Sequence, residues 1–119
     1  MSQSLYERLG GTEGITSIAN DLVEIHLNNP AINARFGAAD ADELKIGAAT
    51  FFISATGGPD VYKGKDMLAT HKHMNINHQE FMAVCDDALE ALQKNNIGQR
   101  EQEEVLFAFY SMRNDVVGV

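Results

Sequence analysis

The sequence predicts an all-α protein with a single domain, residues 1–119. Apolar side chains recur three and four residues apart in four segments, and no segment has the sustained apolar–polar alternation of a β-strand. The chain has 119 residues, of which 45 % are hydrophobic and 22 % charged, and this length is too short for two independent cores. Because it contains no internal repeat and no low-complexity linker, we place no domain boundary.

Four segments have the apolar spacing of amphipathic helices. The first follows a candidate N-cap at Thr12, and the second follows one at Asp40 or Asp42. The third begins near Asn77, and the fourth begins near Gln99 with acidic residues that suit the positive end of a helix dipole. The apolar positions are, in chain order, Ile15, Ile18, Leu22 and Ile25; Leu44, Ala48, Phe51 and Ala55; Phe81, Val84, Cys85, Ala88, Leu89 and Leu92; and Val105, Leu106, Phe109, Met112 and Val116.

Four such helices could form a plain bundle, but residues 57–76 do not fit that arrangement. This segment contains glycine-rich turns and leaves little room for a long helix. Loops of this length inside a compact domain are usually functional. It also carries His71 and His73, with His78 just beyond, so a functional site is expected here.

The charge balance excludes several classes of partner. Nine basic residues against seventeen acidic ones give a net charge of −8, without the basic stripe that nucleic acid or anionic lipid requires. No apolar run approaches the roughly 18 residues of a membrane span, and the N-terminus lacks the pattern of a signal peptide. One cysteine, Cys85, cannot form an internal disulfide. We therefore expect a cytoplasmic monomer with neither a nucleic-acid nor a membrane partner.

The chemistry-bearing residues leave three interpretations open. A zinc site built from His71, His73 and His78 is weakly indicated, because neighbouring histidines on a helix point to different faces. A heme-free helical interaction module would make His71 a surface residue. The apolar neighbours of Cys85 are typical of a buried, inert thiol. His26 lies beside the apolar stripe of the first helix, which is typical of a histidine at the edge of the core. A heme, in contrast, needs a hydrophobic crevice and one imidazole, which fits a histidine between phenylalanine-rich helices.

The order of several motifs resembles the truncated hemoglobins, most closely their group I. The matching segments are residues 5–11 (LYERLGG), 51–59 (FFISATGGP), 62–67 (YKGKDM), 70–76 (THKHMNI) with Phe81 five residues beyond, and 112–117 (MRNDVV). The resemblance covers nearly the whole chain and implies a two-over-two helical sandwich that encloses heme. It also implies that the glycine pairs 10–11 and 57–58 are the turns that close the chain over it.

The resemblance implies a role for individual residues. His71 becomes the proximal iron ligand, and Phe36 packs on the heme face. Lys45 and Lys63 become partners of the heme propionates. The other implied heme contacts are Leu44, Ala48, Phe52, Tyr62, Met67, Ile76 and Phe81. No histidine follows His78, so the expected cofactor is non-covalent heme b.

The distal side departs from the family pattern of a tyrosine on the first long helix and a glutamine or histidine on the next. The matching positions here are Val23, Leu44, Gly47 and Ala48, none of which has a hydrogen-bonding side chain. Oxygen should therefore dissociate faster, whereas CO and NO should be affected less. His26 or Thr50 could still approach the ligand, and His26 on the iron would give a six-coordinate resting state.

The function implied is reversible binding of O2, NO or CO, as in oxygen transport or NO scavenging. An NO dioxygenase benefits from stabilised oxygen, so the apolar pocket weakens that enzymatic assignment and leaves it open. Turnover would also require a reductase, which nothing in the sequence identifies.

Overall fold

The computed structural model describes residues 3–37, 39–64, 71–72 and 74–118, which form helices and connecting turns. The α-helices are α1 (Leu5–Arg8), α2 (Gly11–Asn28), α3 (Ala41–Ala55), α4 (His78–Lys94) and α5 (Gln99–Ser111), with short 3-10 helices at Asn33–Arg35 and Arg113–Asp115. Within these residues the only β-type pairing is an isolated parallel bridge between Ile76 and Val117. The all-α prediction is confirmed. None of the helices described is long and apolar enough to cross a membrane.

Side-chain caps fix the starts of α3 and α4 where the sequence predicted them. Asp40 accepts hydrogen bonds from the backbone N–H groups of Asp42 and Glu43, at 2.8 and 3.3 Å. Asn77 and Glu80 form a reciprocal capping box, with bonds of 2.7 and 3.1 Å. Each cap satisfies backbone donors that the first turn of a helix leaves without a partner.

Two N-terminal features differ from the prediction. Helix α2 begins at Gly11, after an N-cap at Gly10 whose φ of 101° places it in the left-handed region, so Thr12 lies inside the helix. Helix α1 was missed because four residues are too few to show a helical period. Its signal was the capping box between Ser4 and Glu7, which the structure forms.

The helices pack as two pairs around a shared core. Helix α2 packs against α3, α5 packs against α4, and α2 also packs on α4 to join the pairs. The buried residues at this junction are Leu9, Ile15, Ile18, Leu22, Ile53, Ile76, Phe81, Cys85, Ala88, Ala91, Leu92, Val105, Phe109 and Val116. This arrangement is the expected two-over-two sandwich.

The turn after α3 holds the N-terminus against the core. Gly57 has a φ of 100°, and a Cβ atom on Gly58 would lie 2.8 Å from the carbonyl oxygen of Ile53 and closer still to the Tyr6 ring. The N–H of Tyr6 donates to the carbonyl of Thr56 at 2.9 Å. Only glycine leaves room for this approach, so the pair forms a tight turn, and its role in closing the chain over heme stays a prediction.

We expect the thiol of Cys85 to react slowly in the folded protein. The side chain is 1 % exposed, and burial raises the pKa of Cys85 from an ordinary value of 9.0 to about 11. At pH 8 the thiolate population should fall about a hundredfold, and blocked access should slow the reaction further. Absorbance with Ellman's reagent should show complete reaction in guanidinium and almost none in the native protein. Equal rates in the two conditions would contradict a buried thiol.

Candidate functional site

A cavity of about 480 Å³ lies beside the junction of α2, α3 and α4. Its walls are mainly aliphatic and aromatic, and its volume is that of a typical ligand-binding cavity. The segments 32–36 and 71–76, which connect the helices, contribute further side chains. The cavity can therefore hold a large apolar group with few polar contacts.

Most of the predicted site residues lie together around this cavity. They are Val23, Phe36, Leu44, Gly47, Ala48, Phe52, Tyr62, His71, Ile76 and Phe81. Met67 and His73 lie outside the described residues. Residues that the prediction did not include also contribute, among them Arg35, Met74 and Phe109. Aromatic and methionine side chains of this kind are common in any core, so their pattern could not single them out.

The two lysines expected near heme propionates do not line the cavity. Lys63 is exposed, and the ammonium of Lys45 donates to Oε1 of Glu24 at 2.6 Å. This hydrogen bond raises the pKa of Lys45. Lys45 thus has a carboxylate partner on α2 within the protein itself.

The segment that carries His71 is anchored by Arg35. The His71 carbonyl accepts from the N–H of Met74 at 3.0 Å, which makes a turn after the histidine. The Arg35 guanidinium donates to the Met74 carbonyl at 2.5 Å and to both carboxylate oxygens of Glu80 at 2.6 and 2.8 Å. This guanidinium, together with the N–H of Asn77, lowers the pKa of Glu80. The Arg35 guanidinium therefore links the 3-10 helix Asn33–Arg35, the segment that carries His71, and α4.

Paired aromatic rings stiffen the cavity walls. Phe52 stacks on Phe109 with centroids 5.7 Å apart, and Phe51 meets the edge of Tyr62 at 5.3 Å. Phe36 stacks almost parallel to the His26 ring, at 5.6 Å and 12°. Such contacts hold flat surfaces in place against which a planar ligand can pack.

One buried polar cluster reaches the cavity through His26. The Nδ1 of His26 lies 2.7 Å from Oδ2 of Asp87, and the Asn29 amide donates to both oxygens of that carboxylate at 3.1 Å. His26 and Asp87 are 8 % and 7 % exposed. Burial lowers the pKa of His26, although Asp87 acts in the opposite direction. Burial thus favours the neutral form of the ring, and Nδ1 is the ring nitrogen that meets the carboxylate.

The sequence analysis placed His26 at the edge of the core and left its approach to a ligand open. The structure confirms its burial and adds that it lines the cavity. Asp87 was missed because its partner lies 61 residues away in the chain. A usable signal was its place on α4 beside the buried Ala88. Thr50 does not line the cavity, and its hydroxyl donates to the Ile46 carbonyl of its own helix at 2.8 Å.

The zinc interpretation gains no support from the residues described. Among them, no group of three histidine, cysteine, aspartate or glutamate side chains could hold a metal ion. His78 is exposed, and its Nδ1 accepts from Nε of Arg113 at 3.4 Å.

Comparison with known proteins identifies the family, since residues 4–117 match the model of the bacterial-like globins. The chain belongs to this family. Within it, the globin is 31 % identical to a group 1 truncated hemoglobin of Synechocystis over 98 residues, which cover 79 % of each chain. It is 26 % identical to the group 1 truncated hemoglobin of Tetrahymena pyriformis over 116 residues, 98 % of this chain and 96 % of that one.

Solved structures agree with this assignment. The crystal structure of the T. pyriformis protein in its Fe(III) form superposes with a TM-score of 0.94, covering 98 % of this chain and all of that one. A 2/2 hemoglobin from Synechococcus, crystallised with covalently attached heme, gives a TM-score of 0.89 at 27 % identity, with coverage of 98 % and 100 %. The globin is thus a group I truncated hemoglobin.

Heme is the cofactor of this globin, and gas binding is its general function. The cavity fits that group, because its walls are apolar and aromatic and His71 is among the residues that line it. Family membership favours this reading over a heme-free interaction module.

Proposed function

We propose that this globin binds a diatomic gas, O2, NO or CO, at the iron of a non-covalent heme b that His71 holds. The observation that carries the proposal is the position of His71, half-buried on the cavity wall at the end of a segment fixed by Arg35. When bound, heme supplies an iron with one open position for a gas. The protein would supply the imidazole of His71 as the ligand that holds the iron, together with the apolar walls.

The remaining residues act through shape and burial. Phe36 offers a ring that His26 already holds in place, and Phe52, Ile76 and Phe81 offer apolar surface for the porphyrin. Transfer of such surface from water stabilises a bound apolar ring. Because Lys45 is paired with Glu24, we do not assign it to a propionate. Lys63 and Met67 remain proposals from resemblance alone.

The proposed distal wall consists of Val23, Leu44, Gly47 and Ala48. None of these side chains can donate a hydrogen bond, so the wall offers little to a ligand that gains negative charge. This favours CO and NO over prolonged retention of O2. Oxygen transport or NO scavenging by a cytoplasmic monomer is the proposed role, and such a pocket weakens the case for scavenging by dioxygenation. Turnover as an NO dioxygenase would need a reductase as a further partner.

A hemin titration of the full-length chain tests the proposal. We expect a Soret band that saturates at one hemin per chain and shifts when the reduced protein is exposed to CO. The same titration of the chain unfolded in guanidinium supplies the control, since an unfolded chain has no cavity. A spectrum that matches free hemin, or a band that never saturates, would rule out the proposed site.

A further inference from the structure

We propose that His26 is the proton acceptor of this cavity, so that the globin favours weak-acid ligands, which bind the iron as their conjugate base. Hydrogen cyanide and hydrogen sulfide belong to this chemical class. The inference rests on the proposed function, because it requires heme in the cavity that His71 faces. It adds a polar specificity residue to a pocket whose distal positions are otherwise apolar.

The first argument is the orientation of the ring. Asp87 accepts from Nδ1, and Phe36 covers a ring face. Among the described residues, no hydrogen-bond partner contacts Nε2. Every fully buried side-chain nitrogen or oxygen atom of these residues does have a partner. Nε2 is therefore not fully buried, and His26 lines the cavity. Of the two ring nitrogens, Nε2 is thus the one left available to a ligand.

The second argument is the protonation state. With its proton directed to Asp87, the neutral imidazole presents the lone pair of Nε2 to the cavity. It can accept a proton but cannot donate one. Burial opposes a positive ring, and the carboxylate 2.7 Å away, which Asn29 holds in place, offsets part of that cost when a proton arrives. A histidine backed by a buried carboxylate is the usual arrangement of a general base.

Among the described residues, two other acids at the cavity have partners of their own. From α4, Asp87 is the acid that contacts the ring, while the Glu80 carboxylate is paired with Arg35 of the 3-10 helix Asn33–Arg35. From the start of α3, Asp40 accepts backbone N–H bonds. The described ionisable residues that line the cavity are His26, Arg35, Asp40, Glu43, Tyr62, His71 and Glu80. Asp87 is thus the carboxylate whose contact with the ring stabilises a proton on His26 most directly.

The proposed step is a proton transfer without oxidation or reduction. The H–C bond of hydrogen cyanide would break, its proton would pass to Nε2 of His26, and the iron that bound heme supplies would hold the cyanide anion left behind. Without an acceptor in the cavity, the proton must leave through solvent, or the rare cyanide anion must enter an apolar space at a desolvation cost. CO carries no proton, so its binding does not use His26.

Stopped-flow binding to the hemin-loaded protein tests the proposal. The variants are His26→Phe, which keeps a ring against Phe36, and Asp87→Asn, which keeps an acceptor for Nδ1 but removes the charge. In the ferric protein at pH 7, we expect His26→Phe to slow cyanide association about tenfold or more, and Asp87→Asn to slow it less. CO association with the ferrous protein of each variant measures how far the substitution alters the cavity itself, and the loss in the cyanide rate should exceed any change in the CO rate by about tenfold or more in His26→Phe. The matched control is His78→Phe, an exposed histidine away from the cavity, which should change neither rate.

Nitrogen NMR of the reduced, CO-bound protein gives a second readout that needs no variant of His26. We expect a protonated Nδ1 and an unprotonated Nε2 at pH 7. A proton on Nε2 would overturn the proposal, as would unchanged cyanide rates in both variants. A low-spin ferric spectrum that becomes high-spin in His26→Phe would place Nε2 on the iron and also overturn it. If the wild-type protein bound no hemin, the proposed function itself would fail. If the wild-type protein bound CO normally and the variants showed unchanged cyanide rates, only the inference about His26 would fail.

Discussion

Replacement of His71 by glycine should remove the proposed ligand of the heme iron and leave a space of imidazole size in the cavity wall. Because the histidine faces the cavity, its loss should affect the iron directly. Loss of a ligand should weaken hemin retention by at least about a hundredfold, since even changes behind a metal ligand cost ten- to a hundredfold. The measurement is the rate of hemin transfer to an excess of a heme-scavenging protein.

Added imidazole should separate a coordination role from a structural one. In His71→Gly, free imidazole should restore the wild-type absorption spectrum and slow hemin loss, because it can occupy the vacated space. His78→Gly serves as the control, since this exposed histidine lies outside the cavity. If His71→Gly kept the wild-type spectrum without imidazole, the ligand would lie elsewhere, and His26 would be the next candidate to replace.

Local signals accounted for most of the fold. Asp40 and Asn77 cap α3 and α4 as predicted, because a cap and the helix it starts are adjacent in sequence. Helix α1 escaped because one helical turn has no measurable period. The sandwich itself came from the resemblance, since four amphipathic helices alone also fit a simple bundle.

The site residues also differ in whether the sequence alone could identify them. Apolar cavity residues such as Val23 and Leu44 were placed by resemblance, and the structure brings them together. The contact of His26 with Asp87 joins positions 61 residues apart, and no local pattern marks such a pair. For Lys45 the resemblance suggested a contact with a heme propionate, but in the structure Lys45 pairs with Glu24 on α2.

Replacement of Val23 by tyrosine should slow oxygen dissociation about ten- to a hundredfold. Val23 is 5 % exposed and lines the cavity on α2, one turn before His26. Oxygen gains negative charge at heme iron, and a hydrogen bond to a charged acceptor contributes about 1.5–3 kcal/mol, which corresponds to that range. If Nδ1 of His26 carries the proton, as proposed above, its Nε2 accepts and does not supply this bond. The rate is measured by mixing the oxygenated protein with an oxygen scavenger or by rapid replacement with CO.

The variant Val23→Phe separates the hydroxyl group from the added ring. Both substitutions fill the same part of the cavity, but only tyrosine adds a donor, so only Val23→Tyr should retain oxygen longer. Dissociation of CO should change about equally in the two variants, because CO gains little negative charge. Equal oxygen rates in Val23→Tyr and Val23→Phe would mean that position 23 acts through space alone. In that case the distal side would take its polarity from elsewhere, and the apolar wall would not explain oxygen release.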